Sequence, residues 1–180
     1  KKSVQIDYRA DGKGYARLYD DTEKLMAEGL YLDTRRDSLW RYYNVDNQLN
    51  SVEPYVNGEL NGVVVVYYPN GDVAEEITYL NGRKEGSWFQ YYRGNGKKLM
   101  AAYHNNLLHG SYKTYSPLAE GDMEGQYENG QEQGIWKIYD SEKREYYNLI
   151  YKNGVLQNSA ELEKRMQEKA AEYEKNRKFI

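Results

Sequence analysis

Two tyrosine columns constrain this chain more than any other feature. At a spacing of 24 residues, Tyr19, Tyr43, Tyr67, Tyr91, Tyr115 and Tyr139 form one column, and Tyr31, Tyr55, Tyr79, Tyr103, Tyr127 and Tyr151 form another. Neither has a gap. Gly62, Gly86, Gly110 and Gly134 keep the same register, with Gly14 and Ser38 ahead of them. Gly58, Gly82, Gly130 and Gly154 do so too, with Asn106 standing in once. Trp40, Trp88 and Trp136 make a further column, filled between by Val64 and Tyr112. A fixed period of this size marks a repeat architecture. Such an array offers a long surface in place of a single chemical pocket.

Within one period the pattern is strand, turn, strand, turn. The third unit is the cleanest. Asn57-Gly58 opens a tight turn, Val63 to Tyr68 is a run of strong strand formers, Pro69-Asn70-Gly71 reverses the chain, and Val73 to Tyr79 returns. Asn-Gly suits a tight hairpin because both residues tolerate positive φ. Unit four repeats this with Arg93-Gly94-Asn95-Gly96, a turn expected to be one residue longer, and a return strand one residue shorter. Unit two replaces the glycine turn with Asp33 to Ser38, and unit five carries Asn105-Asn106 and a looser turn over Ser116 to Gly121. Departures at Ser38, Asn106 and Asn158 mark units two, five and seven as candidates for irregularity. Pro54 cannot donate to a ladder, so an edge or a bulge is expected there. Sequential pairing predicts an all-β, elongated, twisted antiparallel meander of β-hairpin repeats over 3–158, with about twelve strands and a length of roughly 55–60 Å. Trp88 and Tyr91 are three apart, so either both faces carry a ring column or a bulge follows the Trp.

The composition agrees. Hydrophobic residues make up 39% and mean hydropathy is −1.01, polar for a thick core. Tyr supplies 21 residues and Phe only two, so amphipathic rings must build the interior. Net charge is −3 with both signs interspersed, which is no field for nucleic acid. The basic pairs Lys1-Lys2, Arg35-Arg36, Arg83-Lys84 and Lys97-Lys98 fall mostly at turns. Cysteine is absent, which removes disulfides and thiolate chemistry. No run of about 18 apolar residues is long enough to span a membrane.

The last stretch differs in kind. Asn158-Ser159-Ala160-Glu161 fits a helix N-cap with an acid at the third helical position. Leu162, Met166, Ala170 and Tyr173 follow at helical spacing among charged residues. A C-terminal amphipathic helix with a narrow apolar stripe is expected within 159–180. It either covers the last open strand or docks into a partner.

At Asn57 to Gly62, Asn81 to Trp88 and Asn129 to Trp136 the chain resembles the MORN repeat, and more closely its bacterial variant, over about residues 12–158. The resemblance implies hairpin units stacked into an elongated sheet, and roles in protein binding, scaffolding and membrane-proximal assembly. Many bacterial members carry an antitoxin-component label, and many look exported and envelope-associated. By that resemblance the expected place is the periplasm or the outer-membrane surface after signal removal, with the cytoplasm as the alternative.

A catalytic constellation is not signalled. His104 and His109 are the only histidines, lie in one turn region and read as exposed turn residues without a third metal ligand. Glu75-Glu76 cannot form a carboxylate dyad, because adjacent strand residues face opposite ways. No catalytic, cofactor or metal residue is therefore expected, and the chain reads as no enzyme. The expected activity is that of a scaffold docking one or more proteins within a larger complex. Its candidate interaction surface comprises Trp40, Trp88, Tyr112, Trp136, Leu162, Met166 and Tyr173. The alternatives are an aromatic platform stacking cell-wall sugar rings and a peripheral lipid-binding protein using its basic turns.

Overall fold

In the computed structural model, residues 3–117, 122–141 and 143–177 are described. Lys1-Lys2, Leu118 to Gly121, Glu142 and Lys178 to Ile180 lie outside them, and with them most of the looser turn expected over Ser116 to Gly121. The described chain is one antiparallel sheet of 16 strands followed by one helix. In chain order the strands are β1 (Ser3–Tyr8), β2 (Lys13–Tyr19), β3 (Leu25–Leu32), β4 (Arg35–Tyr43), β5 (Leu49–Val56), β6 (Glu59–Leu60), β7 (Gly62–Tyr67) and β8 (Val73–Leu80). They continue as β9 (Arg83–Tyr91), β10 (Lys97–His104), β11 (Leu107–Leu108), β12 (Gly110–Thr114), β13 (Met123–Glu128), β14 (Gln131–Asp140), β15 (Glu145–Lys152) and β16 (Val155–Leu156). The helix, α1, spans Ser159–Arg177. Each strand pairs with its sequence neighbour, except that β6 and β11 lie off the path and β5 and β10 pair onward with β7 and β12.

The strand count exceeds the expected twelve because β1 and β16 are added at the two ends and two repeat strands are broken in two. β4, β9 and β14 run unbroken through the Trp-bearing units. In the units whose column residue is Val64 or Tyr112, the same strand splits into β6 and β7, or β11 and β12. The array thus alternates with a two-unit period that the Trp column already carries. Pro54 stands opposite the first break. Its carbonyl accepts from Asn61 N, 2.9 Å away. The nitrogen of a strand residue points the same way as its carbonyl, so the missing N–H faces the gap and leaves no paired group stranded.

Turn chemistry explains the regularity. Asn57-Gly58, Asn81-Gly82, Asn105-Asn106, Asn129-Gly130, Asn153-Gly154 and Asp33-Thr34 all place both residues at positive φ. That conformation matches the twist of the flanking strands. Units two and five therefore keep the common turn. Consecutive turns are stitched together: Gly58 N donates to Arg36 O at 2.8 Å, Gly82 N to Leu60 O at 2.8 Å, and Gly130 N to Leu108 O at 2.8 Å. On the other edge, Tyr68 N bonds Asp72 O and Tyr92 N bonds Gly96 O, each closing a turn of equal length. Gly71 and Asn95 hold the same positive-φ slot in these two turns, so the fourth unit's turn is not longer after all.

The remaining glycine column is a bulge. Ser38, Gly62, Gly86, Gly110 and Gly134 all have positive φ, and strand register slips beside the column in β3–β4, β8–β9 and β13–β14. Each slip sets two extra residues on the Trp-bearing strand, and none falls between the Trp and the Tyr three places on, so the two remain on opposite faces. Trp88 and Gln90 both bond Glu75 Oε1, whereas Tyr91 bonds Glu76 Oε2. One face carries the Trp column and the other the Tyr43–Tyr91 column.

The sheet has little depth. Its largest fully buried side chain is Trp40, clustered with Ala16, Ala27 and Tyr55 on the Trp face. The accessible surface is 12077 Å², against about 9,000 Å² for a compact chain of this mass. The excess is what an extended ladder requires.

Candidate functional site

The Trp face gathers Trp40, Trp88 and Trp136 with Tyr31, Tyr103, Tyr112 and Tyr127, and the residue across the strand decides what each indole does there. Trp40 lies over Gly29: a β-carbon built on Gly29 would stand 2.5 Å from the indole. Trp136 lies over Gly125 in the same way. With no side chain beneath them, both rings settle flat, and they are 0% and 3% exposed. Trp88 meets Ile77 in that place and stays half-buried. Burying about 200 Å² of indole contributes on the order of 5 kcal/mol before entropy is counted.

Hydrogen bonding divides the three indoles differently. The Trp40 indole donates to Leu30 O at 2.9 Å, and that of Trp88 to Glu75 Oε1 at 2.8 Å. The Trp136 N–H is buried without a partner among the described residues.

Tyrosines wall these indoles in. Tyr31 meets Trp40 edge-on with centroids 4.9 Å apart, and Tyr127 meets Trp136 at 5.1 Å and 86°. Tyr112 bridges to Trp136 at 5.6 Å, and Trp88 leans on Tyr103 at 5.4 Å. The edge-to-face pairs, Tyr31–Trp40 and Tyr127–Trp136, are each worth about 0.5–1.5 kcal/mol. In unit two the Arg36 guanidinium sits 4.8 Å over the Trp40 ring and donates to Tyr55 Oη at 3.2 Å. The Tyr55 hydroxyl in turn donates to Glu53 Oε2 at 2.6 Å. Burial raises the Tyr42 hydroxyl well above the ordinary phenol value, helped by its contact with Tyr55 and the Glu53 charge.

Of the candidate surface residues, Trp40 and Trp136 are thus inside the ladder, while Trp88 and Tyr112 are half-buried. No exposed row of stacked indoles results. Gly29 and Gly125 are structural residues that the column reading passed over. Their signal was present: each lies eleven places before a Trp.

The helix carries the other three candidates. Asn158 caps it through its carbonyl, which accepts from Glu161 N and Leu162 N. The Asn158 side chain turns back to the sheet, accepting from Ile150 N and donating to Asn148 O, both at 2.9 Å. Backbone and side chain together end the seventh unit at the bulge position and occupy the edge of β15. The charged side of α1 is then tied to the last hairpin. Lys169 Nζ stands 3.1 Å from the buried Asp140, Arg165 is 3.3 Å from Glu145 and 4.9 Å over Tyr147, and Lys143 is 3.6 Å from Glu168. Leu162 is half-buried, but Met166 is 64% and Tyr173 71% exposed. The apolar row therefore faces away from the sheet, and the open strand is completed by β16 and Asn158 instead.

Catalytic groupings do not assemble among the described residues. Glu75 and Glu76 take opposite faces. His104 Nδ1 pairs with Glu85 Oε1 at 2.8 Å, and the His104 and His109 rings lie 5.7 Å apart on the exposed turn edge. Asn105 N and His104 hold the Glu85 carboxyl below its usual value. No cluster of three or more His, Cys, Asp or Glu that could hold a metal occurs among the described residues. No described helix is long and apolar enough to cross a membrane.

Residues 60–81, from the end of β6 through β7 and β8 to the next Asn, match a family model. This stretch is a MORN repeat variant. No curated protein matches the chain. The units flanking this MORN repeat share its turns, its bulge and its ring columns, as described above. A MORN repeat module is typically non-catalytic.

Proposed function

We propose that this chain is a non-catalytic repeat scaffold that docks one or more proteins as a subunit of a larger assembly at a bacterial cell envelope. One observation carries the reading. A helix whose charged side is bonded to the sheet leaves Met166 and Tyr173 uncovered, the reverse of what packing alone would select. Exposed apolar rows on helices are anchors for protein partners, and Tyr is favoured at such contacts. The half-buried Trp88 and Tyr112 on the sheet are a separate candidate contact.

The test is affinity purification with crosslinking from native cells, using Met166→Glu/Tyr173→Glu and, separately, Trp88→Ala. Recovery of the main partner is expected to fall about tenfold with the helix variant, at an unchanged melting temperature. Equal recovery from parent and both variants contradicts the proposal. The envelope placement rests on the resemblance of the repeat, and fractionation of the natural host checks it directly. Glycan stacking is the second reading, supported by Trp88 and Tyr112 alone. Titrating tryptophan fluorescence with peptidoglycan fragments separates the two, since only a stacking site alters the emission.

A further inference from the structure

The edge of the sheet that carries the longer turns changes sign along its length. The first three tips hold Asp20, Asp21 and Glu23 with Lys24, then Asp46, then Asp72, and each is net acidic. The fourth holds Arg93, Lys97 and Lys98. All three cations are exposed, and none belongs to an ion pair of the described residues. Asp72 at the neighbouring tip is already engaged, accepting from Gly94 N and the Asn70 amide, each at 2.8 Å.

These cations flank an open cleft of about 620 Å³ whose walls include Tyr68, Tyr92, Arg93 and Lys97. The rings are fixed in place. The Tyr68 hydroxyl donates to Tyr91 O at 2.8 Å, and that of Tyr92 to Tyr115 O at 2.9 Å. The Arg93 guanidinium lies 5.6 Å over the Tyr68 ring, and Lys98 Nζ lies 5.9 Å over that of Tyr92. A cation held by a ring has lost part of its rotamer freedom already, so less is lost when an anion binds. The guanidinium fork is suited to a carboxylate.

We propose that this cleft docks an acidic segment of a partner protein. Its carboxylates meet Arg93 and Lys97, and one of its apolar side chains lies between Tyr68 and Tyr92. The proposal rests on the scaffold reading and names a second contact for it. The sign change selects a peptide over a membrane. An anionic bilayer laid along this edge would also meet the Asp20, Asp46 and Asp72 tips, where like charges repel. A narrow segment reaches the basic tip alone.

The experiment measures fluorescence anisotropy of a labelled peptide of alternating Glu and Leu, at about physiological ionic strength. Saturable binding is expected for the parent chain. Binding is expected to weaken about tenfold or more for Arg93→Glu/Lys97→Glu. It should stay within about twofold for Arg83→Glu on the opposite edge, a change too small to count as a lost contact. Where charge reversal disturbs the hairpin, Arg93→Gln/Lys97→Gln takes its place. Absence of saturation, an equal loss in Arg83→Glu, competition by inorganic phosphate, or preferential capture by phosphatidylserine vesicles overturns the proposal. If the cleft variants fail to alter peptide binding while Met166→Glu/Tyr173→Glu still loses the cellular partner, the cleft falls and the scaffold stands. Loss of partner recovery in neither set removes both.

Discussion

An indole lying on a sheet needs room over the strand beside it. At Gly29 and Gly125 that room is supplied by the missing side chain, and at Ile77 it is denied. Gly125→Ala is therefore expected to force Trp136 outward, with a loss of about 1–3 kcal/mol in urea unfolding and a red shift in tryptophan emission. An unshifted spectrum with parent stability would contradict the packing described. Tyrosines give a second reading at this scale. Burial, a hydrogen bond to a carboxylate and that carboxylate's charge push Tyr43 and Tyr91 up to about 12. Tyr127 reaches about 12 through burial and the charge of Glu132. In the unfolded chain these phenols ionise near pH 10. Between about pH 10 and 12 the unfolded state has then shed protons that the folded state keeps. The stability they contribute is whole below about pH 10 and drains away as pH rises through 12. Urea midpoints are expected to fall across that window, and Glu28→Gln should bring the Tyr43 tyrosinate signal to lower pH. All rings titrating together near pH 10 would contradict this. The Tyr columns were legible in the sequence because one residue type recurs without interruption. The glycines beneath the Trp rings were not, because a residue eleven places away becomes a neighbour only once the hairpin register is known.

Among the elements, α1 is the one whose attachment differs from the rest. Strands hold each other by backbone ladders, whereas the helix is held chiefly by side-chain ion pairs to Asp140 and Glu145 and by Lys143–Glu168. The Arg165–Glu145 and Lys143–Glu168 pairs lie at the surface, where each is weak and screened by salt, whereas the Asp140 carboxylate is buried beneath a half-exposed Lys169. Asp140→Asn keeps the oxygen that caps Lys143 N at 3.2 Å and removes the charge facing Lys169. Limited proteolysis within 159–177 is expected to speed up several-fold, while the unfolding free energy of the sheet changes by no more than about 1 kcal/mol. Simultaneous loss of helix and sheet would show a shared core instead. The helix itself was legible from its cap and spacing. The direction its apolar row faces was not, because periodicity fixes which residues share a side and not which side meets the sheet. Turns were read more completely: Asn-Gly predicted the hairpins, and Asp33-Thr34 and Asn105-Asn106 adopt the same positive-φ geometry without glycine, the latter tied to its neighbour by Asn106 N donating to Lys84 O at 3.0 Å.

At the scale of the whole molecule, a regular spacing of chemically distinct columns implied a ladder, and the ladder is there. What the spacing hid was the break in alternate units, which supplies two of the four extra strands, since a two-residue strand beside a bulge leaves no mark in composition. A single sheet of successive hairpins explains both the polar composition and the large accessible surface. It also explains why function is sought on edges, rings and the outward helix and not in an enclosed pocket. Small-angle scattering of the chain in solution tests this most directly. Fourteen strands along the pairing path at about 4.8 Å predict a body of roughly 60 Å and a radius of gyration near about 20 Å. A radius near about 16 Å, that of a compact domain of this length, would contradict the extended ladder.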